Sequence, residues 1–204
     1  MVYSLSKDQE HFQEKNGNTI PFINDDLDVS NSTPPLKLVV LEGQLKVHSA
    51  SFRGSFPDVF SEALRAAGLG RRVMVAQLLK GGVDQGLNGA INLCGQLKWI
   101  RPAISCCINQ KVTSIGSDPE NNKNLSAVKE IWNTCKEHLL KRSLDQLVLD
   151  EIGLAISLGY LEEKEVISIL QERPMSMDVI LTGPEIPSSL MGIADQVTLL
   201  RCGS

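Results

Sequence analysis

Aromatic residues are scarce in this chain: five Phe, two Trp and two Tyr make up 4% of 204 residues, so aliphatic side chains must fill any core. No stretch approaches the roughly 18 consecutive apolar residues of a membrane span. The start, Met1 to Lys15, lacks the basic-then-apolar layout of a signal peptide. A cytoplasmic protein with no membrane partner is the expectation. Excess positive charge is also missing. Twenty basic against twenty-four acidic residues give a net charge of -4, so no general basic field exists to hold a nucleic acid.

Five cysteines, Cys94, Cys106, Cys107, Cys135 and Cys202, form no Cys-x-x-Cys. The three histidines, His11, His48 and His138, stand far from one another. Neither set has zinc-like spacing, and reduced, mostly buried thiols are expected, with no metal site.

What is present is an alternation of strand-like and helix-like segments. Residues 1–35 are polar and broken by Asn16-Gly17-Asn18, Ser30-Asn31-Ser32 and Pro34-Pro35, which reads as a flexible N-terminal tail before a domain spanning residues 36–204. Leu36 to Leu41, the turn signal Glu42-Gly43 and Gln44 to His48 suggest a hairpin or two consecutive strands. Asp58 to Ala67 puts Val59, Phe60, Ala63, Leu64 and Ala67 on one helical face, and Asn124 to Arg142 repeats Leu125, Val128, Trp132, Cys135 and Leu139 at helical spacing. Glu162 to Glu172 and Ile186 to Ala194 give two shorter helices. Apolar runs at Val73 to Leu78, Leu144 to Leu149, Met177 to Leu181 and Gln196 to Leu200 read as buried strands. The region from Val83 to Glu120 gives no clear period. Strands separated by crossover helices imply an α/β fold with a mostly parallel sheet, helices on both faces and ligands at the carboxyl ends of the strands.

The strand Leu144 to Leu149 closes on two adjacent acids, Asp150 and Glu151. In a nucleotide-binding sheet such a tip faces the phosphates, where a carboxylate sits beside magnesium or orients water. The commoner use of such acids is helix capping or loop hydrogen bonding.

The order Ala63-Leu64-Arg65-Ala66-Ala67-Gly68-x-Gly70, Val75-Ala76-Gln77, Lys80-Gly81, Trp132, Asp150-Glu151-Ile152, Gly159-Tyr160-Leu161, Arg173-Pro174, Val179 to Gly183 and Ala194-Asp195-Gln196-Val197-Thr198 resembles the P-loop-type cob(I)alamin (corrinoid) adenosyltransferases from about Glu42 to Arg201. That family moves the 5′-deoxyadenosyl group of ATP onto reduced corrinoid cobalt. The resemblance implies a P-loop NTPase-like, RecA-like fold, a homodimer, ATP and magnesium at the first strand-to-helix loop, and a corrinoid nearby.

The departures fall on the chemistry. Where the family has Gly-Asn-Gly-Lys-Gly-Lys-Thr/Ser-Thr, this chain has Ala50-Ser51-Phe52-Arg53-Gly54-Ser55-Phe56-Pro57. A P-loop converges backbone N–H groups on phosphate, neutralises it with lysine and ligates magnesium through a hydroxyl. Ser55 stands for that lysine and Phe56 for the hydroxyl, Pro57 lacks an N–H, and Phe52 crowds the loop. Two charge-assisted interactions, each on the order of 1.5–3 kcal/mol, are thereby lost. The family's Gly-Phe-Thr-Trp, whose aromatics press on the corrin, aligns with Thr113-Ser114-Ile115-Gly116, leaving Trp99 as the nearest aromatic substitute. Pro184 follows Thr182-Gly183 where the family carries arginine, and Arg201-Cys202-Gly203-Ser204 lacks its lysine-histidine ending.

The residues retained for a cofactor are Ser51, Arg53, Gly54 and Ser55 in the degenerate phosphate loop, with Asp150, Glu151 and Thr182. None is assigned as catalytic or as a metal ligand. Arg53 with Ser49, Ser51 and Ser55 is either a lone-anion site at a helix N-terminus or a solvated loop. Trp132 reads as a core anchor and Arg71-Arg72 as a solvated basic patch. Two functions follow: a non-catalytic binding or regulatory relative, with a small-molecule or protein partner, or an active ATP:corrinoid adenosyltransferase with a rebuilt ATP site. ATP, magnesium and corrinoid belong to the protein's chemistry only in the second.

Overall fold

The computed structural model describes residues 42–54, 56–112 and 119–200. The proposed tail, the strand expected at Leu36 to Leu41, Ser55 and the Thr113 to Gly116 stretch lie outside the described residues. Chain order is β1 (Leu45–Ala50), α1 (Pro57–Gly68), β2 (Val73–Gln77), β3 (Ile91–Leu93), β4 (Leu97–Ile100), α2 (Pro119–Leu140), β5 (Gln146–Asp150), α3 (Ile152–Ser157), α4 (Glu163–Gln171), β6 (Asp178–Gly183), α5 (Ser188–Gly192) and β7 (Gln196–Leu200).

The strands form one sheet in the order β3-β4-β2-β5-β6-β1-β7. All neighbours are parallel except β3 and β4. Side-chain alternation divides the core into two layers. Val73 and Val75 of β2, Val148 of β5 and Ile180 of β6 meet Val59, Ala63, Ala66 and Ala67 of α1 on one face. Met74, Ala76, Leu147, Leu149, Val179 and Leu181 point the other way, into a larger core with Trp132 and Cys135 of α2, Val166 and Leu170 of α4 and Leu190 of α5. These helices cover both faces, which is why β2 and β5 are buried along their whole length.

Of the opening segment, Leu45–Ala50 is a strand with both edges filled, by β6 and by β7, while Leu36 to Leu41, the other half of the expected hairpin or strand pair, lies outside the described residues. The unread region after Val83 holds the β3–β4 hairpin, whose turn places Cys94 at φ 51° and Gly95 at φ 71°. No helix among the described residues is long and apolar enough to cross a membrane.

Two imidazoles are set into these layers. His48 lies in β1 with Lys46 beside it and Glu62 and Asp58 of α1 nearby, and His138 sits near the end of α2 with Nδ1 2.6 Å from Ser143 Oγ. Burial pushes the pKa of both below the ordinary 6.5; at His48 Glu62 opposes it, and at His138 the charge of Lys98 adds to it. The folded chain therefore binds protons less readily than the unfolded chain. Stability is full above the unfolded pKa and is lost as pH falls through the lowered folded values. Urea midpoints should drop between about pH 7.5 and about pH 5.5, and a His48→Gln/His138→Gln chain should show a shallower decline. An equal slope in both chains would remove the imidazoles as its cause.

Candidate functional site

Three strands end their apolar runs on a polar residue, and the register sets those residues side by side. Gln77 of β2 pairs with Asp150 of β5, which pairs with Thr182 of β6. All three are buried, at the carboxyl ends of parallel strands. Both oxygens of Asp150 are engaged: Oδ2 accepts from Gln77 Nε2 at 2.8 Å and Lys80 Nζ at 2.8 Å, and Oδ1 accepts from Thr182 Oγ1 at 2.7 Å. Gln77 is held in turn by Trp99 Nε1 at 3.0 Å and Arg101 Nε at 2.8 Å, both donating to its Oε1.

Glu151 follows immediately, and its backbone is left-handed at φ 64°. Its N–H donates to Thr182 O at 2.8 Å, and its carboxylate is completely buried. Gly183, at φ +125°, allows this approach, because a Cβ there would lie 2.9 Å from Glu151 Cα. Arg53 reaches from the β1–α1 loop and grips Glu151 with a fork, Nε to Oε1 at 2.6 Å and Nη2 to Oε2 at 2.8 Å. Its remaining donors go to Ile108 O at 2.6 Å, Leu79 O at 3.3 Å and Asn109 Oδ1. All five guanidinium N–H groups are thus used. The Glu151 hydrogen bond comes first in raising the Arg53 pKa above its ordinary value, against the cost of burial, and Cys107 and Asp150 add smaller attractions.

Arg53, Asp150, Glu151 and Thr182 lie together, and both acids take hydrogen bonds from loop side chains, Asp150 from Lys80 and Glu151 from Arg53, one of the two roles weighed for them. Arg53 is only partly exposed, and all its N–H groups are committed within the chain, leaving none for an anion. Neither acid is a helix cap: Glu151 occupies the N-cap position of α3 without a side-chain capping bond. Ser51 is exposed, and Phe52 lays its ring against Gly54, 3.2 Å from where a Cβ would stand. Phe56 turns inward and is 3% exposed in the α1 core, so of the two aromatics only Phe52 faces outward from the loop.

Three neighbouring expectations also change, and a fourth, for Trp132, holds. Trp99 is committed to Gln77 and to Phe60, with ring centroids 5.1 Å apart, which removes it as a stand-in for the missing corrin aromatics. Arg71 and Arg72 are paired with Asp178 and Asp145 at 2.7 Å each, because those carboxylates lie at the amino ends of β6 and β5. Of the four described cysteines, Cys94, Cys106 and Cys107 are exposed and only Cys135 is buried, where burial pushes its thiol up to about 12. Trp132 is a core anchor, 1% exposed.

Sequence reasoning named Lys80 and Gln77 but gave them no role, and it missed Asn109 and Arg101. The available signal was the row of polar strand ends, Gln77, Asp150 and Thr182. Every oxygen of these two acids already accepts a hydrogen bond from the chain itself, so a magnesium ion would have to share them with Lys80, Gln77, Thr182 or Arg53. Among the described residues no group of three or more His, Cys, Asp or Glu is arranged to hold a metal.

A parallel sheet with its buried polar groups gathered at the carboxyl ends of β2, β5 and β6 defines a P-loop NTPase-like α/β protein. Residues 42–203 match the family described as ATP:corrinoid adenosyltransferase BtuR/CobO/CobP, and the chain belongs to that family. It is 30% identical over 162 residues to the corrinoid adenosyltransferase of Escherichia coli K12, covering 78% of this chain and 76% of that protein. Corrinoid adenosyltransferase CobA of Salmonella typhimurium LT2 is 29% identical over the same length and coverage. The Pseudomonas aeruginosa corrinoid adenosyltransferase is 26% identical over 156 residues, covering 76% of this chain and 73% of its own.

Proposed function

We propose that this chain is a non-catalytic relative of the corrinoid adenosyltransferases, with eroded ATP and corrinoid sites, that keeps the scaffold for binding or regulation. The observation that carries the reading is the internal pairing of both retained acids: Lys80, Gln77 and Thr182 engage Asp150, and Arg53 engages Glu151. In a working site these carboxylates face a metal and its phosphates, and the cations are free to meet the nucleotide. Here cation and anion neutralise each other. The loop that would cradle the phosphates adds little, with a prolyl nitrogen at Pro57, Phe56 buried and Arg53 turned away.

The test is direct. Calorimetry or equilibrium dialysis should find no ATP-magnesium binding tighter than about millimolar, near -4 kcal/mol. Reduced corrinoid should show no absorbance change for cobalt–carbon bond formation above background. Micromolar ATP binding that Asp150→Ala abolishes would instead support the second reading, an active transferase of the 5′-deoxyadenosyl group with a rebuilt ATP site. That alternative is favoured by one feature: Lys80, Asp150 and Thr182 still converge at the strand ends. A homodimer in the cytoplasm, with a small-molecule or protein partner and no nucleic acid, completes the proposal, and sedimentation as a single chain at micromolar concentration would overturn the dimer.

A further inference from the structure

The loop between β4 and α2 carries two consecutive thiols, Cys106 and Cys107, that the site above does not use. It is pinned on either side of them. Ile104, 4% exposed, accepts from Gly82 N through its carbonyl at 3.0 Å; Ile108, also 4% exposed, donates to Leu79 O at 2.9 Å and accepts from Arg53 at 2.6 Å. Between these anchors Ser105, Cys106 and Cys107 arch out and are exposed. The arch cannot sink inward, because its backbone lies on the turn after β2: a Cβ at Gly81 would come within 2.7 Å of Cys106 O. Both cysteines line a cavity of about 160 Å³, walled also by Asn109, Asn124 and Tyr160, and both are free thiols.

We propose that Cys106 and Cys107 form a bidentate thiol site for a soft, thiophilic centre of low coordination number, of which a trivalent arsenical is the simplest case. Consecutive Cα atoms stand about 3.8 Å apart, short of the roughly 4.4–6.8 Å that a disulfide uses, so closing a direct sulfur–sulfur bond would distort a loop held at both ends. Two sulfurs bound to one centre at about 2.3 Å each sit roughly 3.5–4.5 Å apart, which adjacent side chains span without that distortion. Zinc needs four ligands, and although Glu120 lines the same cavity, no group of three or more His, Cys, Asp or Glu among the described residues is arranged to hold a metal. Thiolate sulfur selects soft centres, and a pair suits those content with two protein ligands. With an organic arsenic oxide the reaction balances without oxidation: two arsenic–sulfur bonds form, the arsenic–oxygen bond breaks, and the two thiol protons leave with that oxygen as water. This inference is independent of whether the ATP site works.

The full chain, reduced and desalted, is titrated with phenylarsine oxide, and adducts are read by intact mass and by loss of titratable thiols. One arsenical per chain should remove two thiols, resist excess monothiol and be released by a dithiol. Cys106→Ser and Cys107→Ser should each weaken retention by about 10²-fold or more, the loss expected when a bidentate site becomes monodentate. Cys94→Ser, Cys135→Ser and Cys202→Ser should retain it unchanged. An unmodified chain that takes up no monothiol-resistant arsenical, or a Cys107→Ser chain that binds as tightly as the parent, would overturn the proposal. An adduct that crosslinks two chains would do the same.

Discussion

Arg53→Ala should destabilise the folded chain by about 3–5 kcal/mol, the cost of leaving one member of a buried ion pair without its partner. The Arg53 side chain is 25% exposed, but its partner Glu151 is at 0%, so the carboxylate left behind has no solvent to turn to. The substitution also frees the carbonyls of Ile108 and Leu79, which then lose a donor each. Urea unfolding would report this as a lower midpoint with an unchanged slope. The double variant Arg53→Met/Glu151→Leu should recover much of the loss, because no charge remains to be buried. By contrast Lys141→Ala, which opens an exposed i,i+4 pair with Glu137, should leave the midpoint where it was. An Arg53→Ala cost as small as that of Lys141→Ala would show the clamp to be a surface contact, and the proposed loss of phosphate handling would lose its main support.

Trp132→Ala should cost a comparable amount, about 3–5 kcal/mol, by emptying the centre of the larger core. The indole is 1% exposed on α2 and lies in the core cluster with Val128, Ile131 and Cys135. Its Nε1 has no hydrogen-bond partner among the described residues. A buried unpaired N–H carries a penalty of about 1–3 kcal/mol that the folded state already bears. Trp132→Phe removes that penalty together with part of the ring, so the two effects oppose each other and the net loss should be much smaller than for alanine. Equal losses for Phe and Ala would mean that ring volume alone sets the stability of this position.

The central strands were legible because burial on both faces leaves a continuous apolar mark, as in Val73-Met74-Val75-Ala76 and Leu147-Val148-Leu149. Helix α3 was not, since it starts beside a left-handed Glu151 and carries Gly153, where a Cβ would lie 2.5 Å from Ile186 N. Its start obeys close backbone packing, with no capping residue to announce it. The β3–β4 hairpin escaped for a related reason: its strands are three and four residues long, and its turn uses Cys94-Gly95 in place of the usual Asn-Gly. Of the site, the polar residues could be named but their pairing could not. Arg53 and Glu151 are 98 residues apart, and nothing local to either predicts that the fork closes on an acid of the same chain.

The place of β1 in the sheet has a consequence for how the chain comes into being. It is the first strand among the described residues, yet both its neighbours, β6 and β7, are the last two. The bond from Gln44 N to Asp178 Oδ1, just ahead of it, spans 134 residues. During synthesis from the amino end, β2, β4 and β5 can assemble while β1 still has no strand to pair with. Its apolar core residues Leu45, Val47 and Ala50 therefore stay without their native strand neighbours until residues 178–200 have been made. The open time of this strand sets the interval in which a nascent chain is most exposed to wrong partners. Truncations that stop before β6 should be captured by chaperones, whereas the complete chain closes the gap in one late step.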